Sequence, residues 1–303
     1  MNIIFGPIHS RRFGKSLGVD LSPGKKQCNF DCLYCELDPA KTMATYDEVL
    51  SLGEIVAAVK TALKIHKDID FITLTANGEP TLYPHLSELI DEINTFKGSM
   101  KTLILTNAAN IDDVKVQEAL LKLDEVKLSL DCATQKCLEK LDRSHSGIEV
   151  ENIKKGMLSF KAKYDGPLII EILIVKTLND SQEELAKLNT YLLKLKPTRI
   201  DIGTIDRPPA FAVKPVSYKD LVHICQMFDA SLPVYIAVRK KTKIKASSYS
   251  DEEILETLAK RPLTKEDIEV LFDQYSQNRV ENLLRKNKIK RVSANGVEFY
   301  KKA

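Results

Sequence analysis

The chain has 303 residues, 44% hydrophobic and 29% charged, with net charge +3 and six cysteines. That length allows one large domain and a small one. No apolar run reaches the ~20 residues of a membrane helix, and the N-terminus lacks a basic segment ahead of a long apolar core. No membrane segment or secretion signal is therefore expected, and a cytoplasmic location is.

In chain order, residues 5–26 read as a basic, glycine-punctuated lead-in: Phe5-Gly6-Pro7, then Ser10-Arg11-Arg12-Phe13-Gly14-Lys15. Ser16–Leu21 reads as the first strand. Arg11, Arg12, Lys15, Lys25 and Lys26 are candidates for an anionic substrate or for a plain solvated surface. Next comes Cys28-Asn29-Phe30-Asp31-Cys32-Leu33-Tyr34-Cys35, a C-x3-C-x2-C loop. From about residue 50 helical stripes alternate with apolar runs. Strands are expected at 69–75, 101–106, 126–131, 168–175, 199–203 and 234–238. Helices are expected at 52–63, 86–96, 112–122, within 134–163, at 181–195 and at 217–229. Such alternation implies a parallel sheet covered by helices, as a barrel or a doubly wound sheet. Polar residues stand at the C-terminal strand ends, where α/β barrels place their sites.

Three thiolates so close in sequence can converge on one metal centre. A closed iron–sulfur site wants four cysteines, and a structural zinc site four ligands; no fourth Cys or His follows at such spacing. Three cysteines satisfy three irons of a cubane cluster and leave the fourth open. The alternatives are an incomplete zinc site or a disulfide with a spare thiol.

The loop resembles the radical S-adenosylmethionine (radical SAM) superfamily. Together with Phe5-Gly6-Pro7, Ser10-Arg11-Arg12 and Leu17-Gly18-Val19-Asp20 it looks like the Fe–S oxidoreductase family related to wyosine-type tRNA-modifying synthases. The resemblance implies a partial (β/α)6 TIM-like barrel. It implies a [4Fe-4S] cluster on Cys28, Cys32 and Cys35, with Tyr34 against the adenine of S-adenosylmethionine. Asn77-Gly78-Glu79-Pro80 resembles the superfamily's Gly-Gly-Glu motif, with Asn77 replacing the first glycine; Gly78 and Glu79 then hold the methionine amino group. Thr106, Asn107, Ser129 and Asp131 end strands where the methionine carboxylate and ribose bind, or cap the next helices. Glu171, inside an apolar strand, either does chemistry in the barrel interior or pairs with a lysine or arginine. Arg207, in Asp206-Arg207-Pro208-Pro209, lies over the barrel mouth or in a rigid turn. Cys132, Cys137 and Cys225 read as buried core thiols. The implied reaction is reductive cleavage of S-adenosylmethionine to a 5′-deoxyadenosyl radical that takes hydrogen from a substrate. It needs an electron donor such as flavodoxin or ferredoxin. No acid or base of the substrate chemistry is identified.

Domains are expected at 1–245 and 246–303. A basic run, Arg239–Lys245, leads into the second. There a helix near 254–258, a capping box Thr264/Asp267, a helix capped by Asn278 and Glu281, and a hairpin turning at Asn295-Gly296 resemble a winged helix-turn-helix. Arg285, Lys286, Lys288, Lys290, Arg291, Lys301 and Lys302 make a nucleic-acid face or a solvated or protein-docking surface. The first functional expectation is an enzyme acting on RNA, a tRNA base, although no cysteine upstream of Cys28 offers the second cluster that wyosine-type chemistry implies. The others are a radical SAM enzyme for a small molecule, peptide or partner protein, and a redox-sensing DNA-binding regulator.

Overall fold

A computed structural model of the chain describes residues 3–10, 14–236, 246, 248–260, 262–294 and 297–303. Arg11, Arg12, the run Arg239–Lys245 and Asn295-Gly296 lie outside the described residues.

The described chain opens with a hairpin, β1 (Ile4–Ser10) antiparallel to β2 (Gly14–Asp20). Then follow α1 (Leu52–Ile65), β3 (Phe71–Thr75), α2 (Leu86–Phe96), β4 (Lys101–Thr106), α3 (Val114–Leu120) and β5 (Glu125–Ser129). A single turn α4 (Gln135–Cys137) runs into a π-helical turn, Leu138–Asp142. α5 (Val150–Lys161), β6 (Leu168–Ile174), α6 (Gln182–Leu195), β7 (Arg199–Thr204), α7 (Tyr218–Gln226) and β8 (Val234–Ile236) complete the series. The strands form one sheet in the order β1 to β8, and every neighbouring pair from β2 onward is parallel. β1 and β8 are its edges, so the barrel is partly open, and β8 extends the six-unit core β2–β7.

β1 was not expected. Gly6-Pro7 interrupts it, and proline is confined to edge strands or bulges. β1 is an edge strand, and its register shifts between Phe5 and Ile8. The Phe5 ring lies where a Cβ on Gly18 would stand, 2.2 Å from that point, so glycine lets β1 close over β2.

Strand alternation divides the side chains. Val126, Leu128, Ile170, Ile172, Ile200 and Ile202 are fully buried in the layer under the helices. The opposite parity (Lys127, Ser129, Glu171, Asp201) faces the lumen.

Residues 249–300 have a hydrophobic cluster of their own, with Ile254, Leu258, Leu263, Ile268, Phe272, Val280, Leu283 and Tyr300. It joins α8 (Asp251–Lys260), β9 (Leu263–Thr264), α9 (Lys265–Leu271), α10 (Gln274–Arg285), β10 (Ile289–Ala294) and β11 (Val297–Lys302), with the strands in the order β10-β11-β9. The Thr264/Asp267 capping box is present. The expected cap at Asn278 is corrected: α10 starts earlier, with Asp273 accepting from the Ser276 N–H at 2.8 Å.

The cysteine loop sits on the C-terminal ends of the strands. Gln27 bridges to Gly78 in parallel, its N–H donating to Asn77 at 2.8 Å and its carbonyl accepting from Glu79 at 2.9 Å. Gly78 has φ +138°, and a Cβ there would lie 1.8 Å from the Gln27 carbonyl oxygen. Gly78→Ala is therefore expected to cost about 3 kcal/mol, from backbone strain plus the lost loop bonds. Gly98, at φ +61° with nothing near its missing Cβ, is the control, where alanine costs about 1 kcal/mol. Urea midpoints of the two variants check this; equal shifts would refute the close-approach argument.

Candidate active site

The free thiols of Cys28, Cys32 and Cys35 line one cavity of about 180 Å³ with Lys26, Gly78, Glu79, Thr106, Asn107, Lys127, Ser129 and Glu171. Through Cys35, Leu37 and Leu105 it adjoins a larger cavity of about 410 Å³, lined by Tyr34, Asn77, Leu173, Ile205 and Arg207. A groove of about 1090 Å³ runs along α5 and α6, but it holds none of the loop cysteines. Its lysines partly pair with its own acids, as Lys154 does with Glu151 and Lys187 with Glu183.

The loop is held mostly through its backbone. Asp31 and Leu33 N–H donate to the carbonyls of Asp142 and Leu141, and the Cys35 carbonyl accepts from Ala210 N–H. The first two acceptors lie in the π turn, where the shifted ladder frees carbonyls. The buried Gln27 side chain pegs the following segment: its amide donates to Ser22 Oγ and the Glu48 carbonyl and accepts from Asp47 and Glu48 N–H.

Glu79 lines the thiol cavity with its carboxylate engaged inside the protein. Its carboxylate is 1% exposed and accepts from Thr81 N–H at 2.9 Å, Thr81 Oγ1 at 2.7 Å, Thr106 Oγ1, and Asn107 N–H at 2.8 Å. It thus ties the ends of β3 and β4 together. Burial pushes its carboxyl up, while the bonds from Thr106, Asn107 and Thr81 pull it down. Gly78 likewise makes its close approach to Gln27, as well as lining the cavity. Asn107 donates from its side chain to Asn29 Oδ1 at 2.7 Å.

Asp131 is 4% exposed and internally engaged, accepting from Tyr34 Oη and, at 2.7 Å, from Leu173 N–H. Burial is the main force that pushes its carboxyl up to about 7. The Tyr34 ring lines the larger cavity with its hydroxyl fixed by this bond. Glu171 lines the cavity and accepts from Lys127 Nζ at 2.5 Å, the pairing that was one of its two expected roles. Lys127, missed in the sequence, also lies 3.7 Å from Asp201, which pairs with Arg199 at 2.7 Å. The signal was available, since a lysine between Val126 and Leu128 in an apolar strand must find a carboxylate.

Lys26 lines the cavity, whereas Lys15 donates to the Lys67 carbonyl and Lys25 pairs with Asp47 and Glu48. Arg207 lines the larger cavity; one terminal nitrogen donates to Glu36 at 2.7 Å, and its buried Nε has no hydrogen-bond partner among the described residues. The core-thiol expectation is corrected for Cys132 and Cys137, which form a disulfide, their Cα atoms 5.5 Å apart and within bridging range. Cys225 is a free, half-buried thiol.

The donor set fits an iron–sulfur cluster with one open corner. Three free thiols share one cavity, and no fourth cysteine and no histidine among the described residues lines it.

Because the four groups bonded to Glu79 donate to it, an amide in its place sets an N–H against a donor. Glu79→Gln is expected to lose about 1–3 kcal/mol in urea unfolding. Glu183→Gln, at a side chain 79% exposed, should stay within about 0.5 kcal/mol. Equal small effects would show that Glu79 does not hold the strand ends.

A model of the radical SAM superfamily matches residues 25–188, more than half of the chain. A UPF0026 protein of Helicobacter pylori (strain J99 / ATCC 700824) is 41% identical over 300 residues, covering 98% of this chain and 97% of that protein. The fold is similar to a radical SAM methyltransferase from Sphaerobacter thermophilus (TM-score 0.57, 16% identity, 73% of this chain and 66% of that one). It is also similar to TYW1 with a lysine-pyruvate adduct bound (TM-score 0.53, 15% identity, 72% and 74%). The chain belongs to the radical SAM superfamily, as an enzyme whose cofactors are a [4Fe-4S] cluster and S-adenosylmethionine.

Proposed function

We propose that Cys28, Cys32 and Cys35 hold the cluster and that S-adenosylmethionine lies across the two adjoining cavities. The observation that carries this is the set of three free thiols on one cavity that opens onto the polar strand ends. Once bound, the two cofactors supply reductive cleavage of S-adenosylmethionine and hydrogen abstraction from the substrate. The chain's own residues orient and enclose. Tyr34 offers its ring to the adenine, its hydroxyl locked on Asp131. Glu79 acts mainly as a positioning residue, presenting Thr106 and Asn107, while Gly78 and Asn77 offer backbone to the methionine end. Ser129 lies beside them. Phe30, Leu37 and Leu105 exclude water.

For the substrate we infer an RNA base, in a tRNA, with residues 246–303 acting as a winged-helix-like module in a cytoplasmic enzyme supplied with electrons by a flavodoxin or ferredoxin. The supporting observation is a group of exposed cations, Arg285, Lys286, Lys288, Lys290 and Lys302, with no ion pair among the described residues. They cluster, because Lys302 pairs with Ile289 across the hairpin and Ala303 N–H donates to the Lys288 carbonyl. Lys301, next to Lys302, lies 3.7 Å from Asp38, three residues after Cys35, so the patch adjoins the cluster loop. A small-molecule substrate is the second reading, favoured by the larger cavity of about 410 Å³. The regulator reading falls away, since the chain is an enzyme that uses S-adenosylmethionine.

Anaerobic reconstitution with dithionite and S-adenosylmethionine is expected to yield 5′-deoxyadenosine, and Cys32→Ala to lose both bound iron and product. Product from Cys32→Ala would refute the ligand assignment. Filter binding of tRNA should weaken steeply with salt. Removing Lys290 and Lys302 should reduce the slope of log K against log[salt] by about 2, roughly one per phosphate contact. Salt-independent or absent binding would leave the small-molecule reading.

A further inference from the structure

Lys26 carries a charge that the enclosure and cofactor-holding roles above leave unused. Its side chain is 9% exposed, it lines the cavity of the three thiols, and it stands two residues before Cys28. Its ammonium is 2.7 Å from Asp31 Oδ1, in a side chain 5% exposed that lies between Cys28 and Cys32 in sequence. Asp31 Oδ1 also accepts from Ala40 N–H at 3.2 Å, and Oδ2 lies 3.5 Å from the half-exposed guanidinium of Arg143. Arg143 in turn lies over the Phe211 ring, 4.8 Å from its centroid.

Burying an ammonium and a carboxylate beside one another is costly, and an apolar pair of similar volume would often hold the loop as well. The backbone bonds to Asn77, Glu79, Leu141 and Asp142 already fix this loop. A fixed charge so shielded from solvent acts strongly on whatever the thiols carry, because salt and water screen it little. Iron–sulfur potentials follow local charge, hydrogen bonding and exposure.

We infer that Lys26 tunes the reduction potential of the cluster: its positive charge favours the added electron, and Asp31 partly offsets it. This rests on the reading that Cys28, Cys32 and Cys35 hold the cluster. A purely structural ion pair makes a different forecast. It expects Lys26→Met and Asp31→Asn to act alike, loosening the loop or lowering cluster content. Charge tuning requires opposite signs.

The test is a potentiometric titration of the full-length, anaerobically reconstituted protein, followed by the electron paramagnetic resonance signal of the reduced cluster, with iron counted in each sample. Lys26→Met should lower the potential, so that at a fixed potential the ratio of reduced to oxidised cluster falls on the order of tenfold, ~59 mV for a one-electron couple. Asp31→Asn should shift the ratio upward. Lys26→Arg, which keeps the charge, should stay near the wild type. If Lys26→Met loads no iron, Lys26→Gln replaces it in the comparison with Lys26→Arg. Unshifted potentials, or Lys26→Met and Asp31→Asn moving together, would overturn the inference while leaving the ligand assignment intact. A wild-type protein that takes up no cluster, or a Cys32→Ala variant that keeps one, would instead overturn that assignment.

Discussion

The structure depends on one constraint: a loop with almost no secondary structure must bring three thiols to one place with its backbone satisfied. Buried N–H and C=O groups need partners, and between Gln27 and Cys35 most of those partners come from outside the loop, Cys35 N–H on the Cys32 carbonyl and Phe30 N–H on Cys28 Sγ lying within it. Asn77 and Glu79 bond Gln27, the π turn bonds Asp31 and Leu33, His145 N–H bonds the Asn29 carbonyl, and Ala210 bonds Cys35. These partners come from three places: the end of β3, the β5–α5 connection and the chain after β7. The thiols share a cavity only where the sheet's register is intact. This is why Gly78 matters more than a turn glycine would, and why the turn before α5 is π rather than α.

The lumen follows from the same sheet. A period of two sends Val126 and Leu128 outward and Lys127 and Ser129 inward. In register, Ser129 faces Glu171 and Glu171 faces Asp201, so three strands set polar groups side by side at one level. Lys127, one step below, reaches Glu171, and Asp201 is fully buried between Lys127 and Arg199. Such a network adds little net stability, since desolvation consumes most of the attraction. Its consequence is geometric, because a paired ammonium and carboxylate hold fixed positions beneath the thiols.

What the sequence made legible was local. The central strands announced themselves as short apolar runs, and the three cysteines because all their information lies within eight residues. What stayed hidden was pairing over distance. Nothing in Glu79 or its neighbours says that Thr106 and Asn107, 27 and 28 residues on, will saturate its carboxylate. The same holds for Tyr34 and Asp131, 97 residues apart. β1 was masked by Gly6-Pro7, which argues against a strand everywhere but at an edge. Cys132 and Cys137 were a misreading of a local feature. A helix was expected across 137, and one turn of helix after a strand end brings two cysteines into bridging range.

The tail shows how burial, rather than charge, decides what is held. The Lys301–Asp38 pair joins the hairpin to the cluster loop, but Asp38 is 93% exposed, and exposed pairs contribute at most about 1 kcal/mol. Tyr249 is different. It is 5% exposed, its hydroxyl donates to the Pro7 carbonyl of β1 at 2.6 Å, and its ring packs on Phe272. Its own N–H donates to Ser276 Oγ, and its carbonyl accepts from Arg279, both on α10. One buried residue thereby fastens the helix that ends in Arg285 to the edge strand whose Phe5 lines the larger cavity. The offset between the basic helix end and the cavity is set by this buried, hydrogen-bonded joint, and salt that screens the surface pair leaves it unchanged.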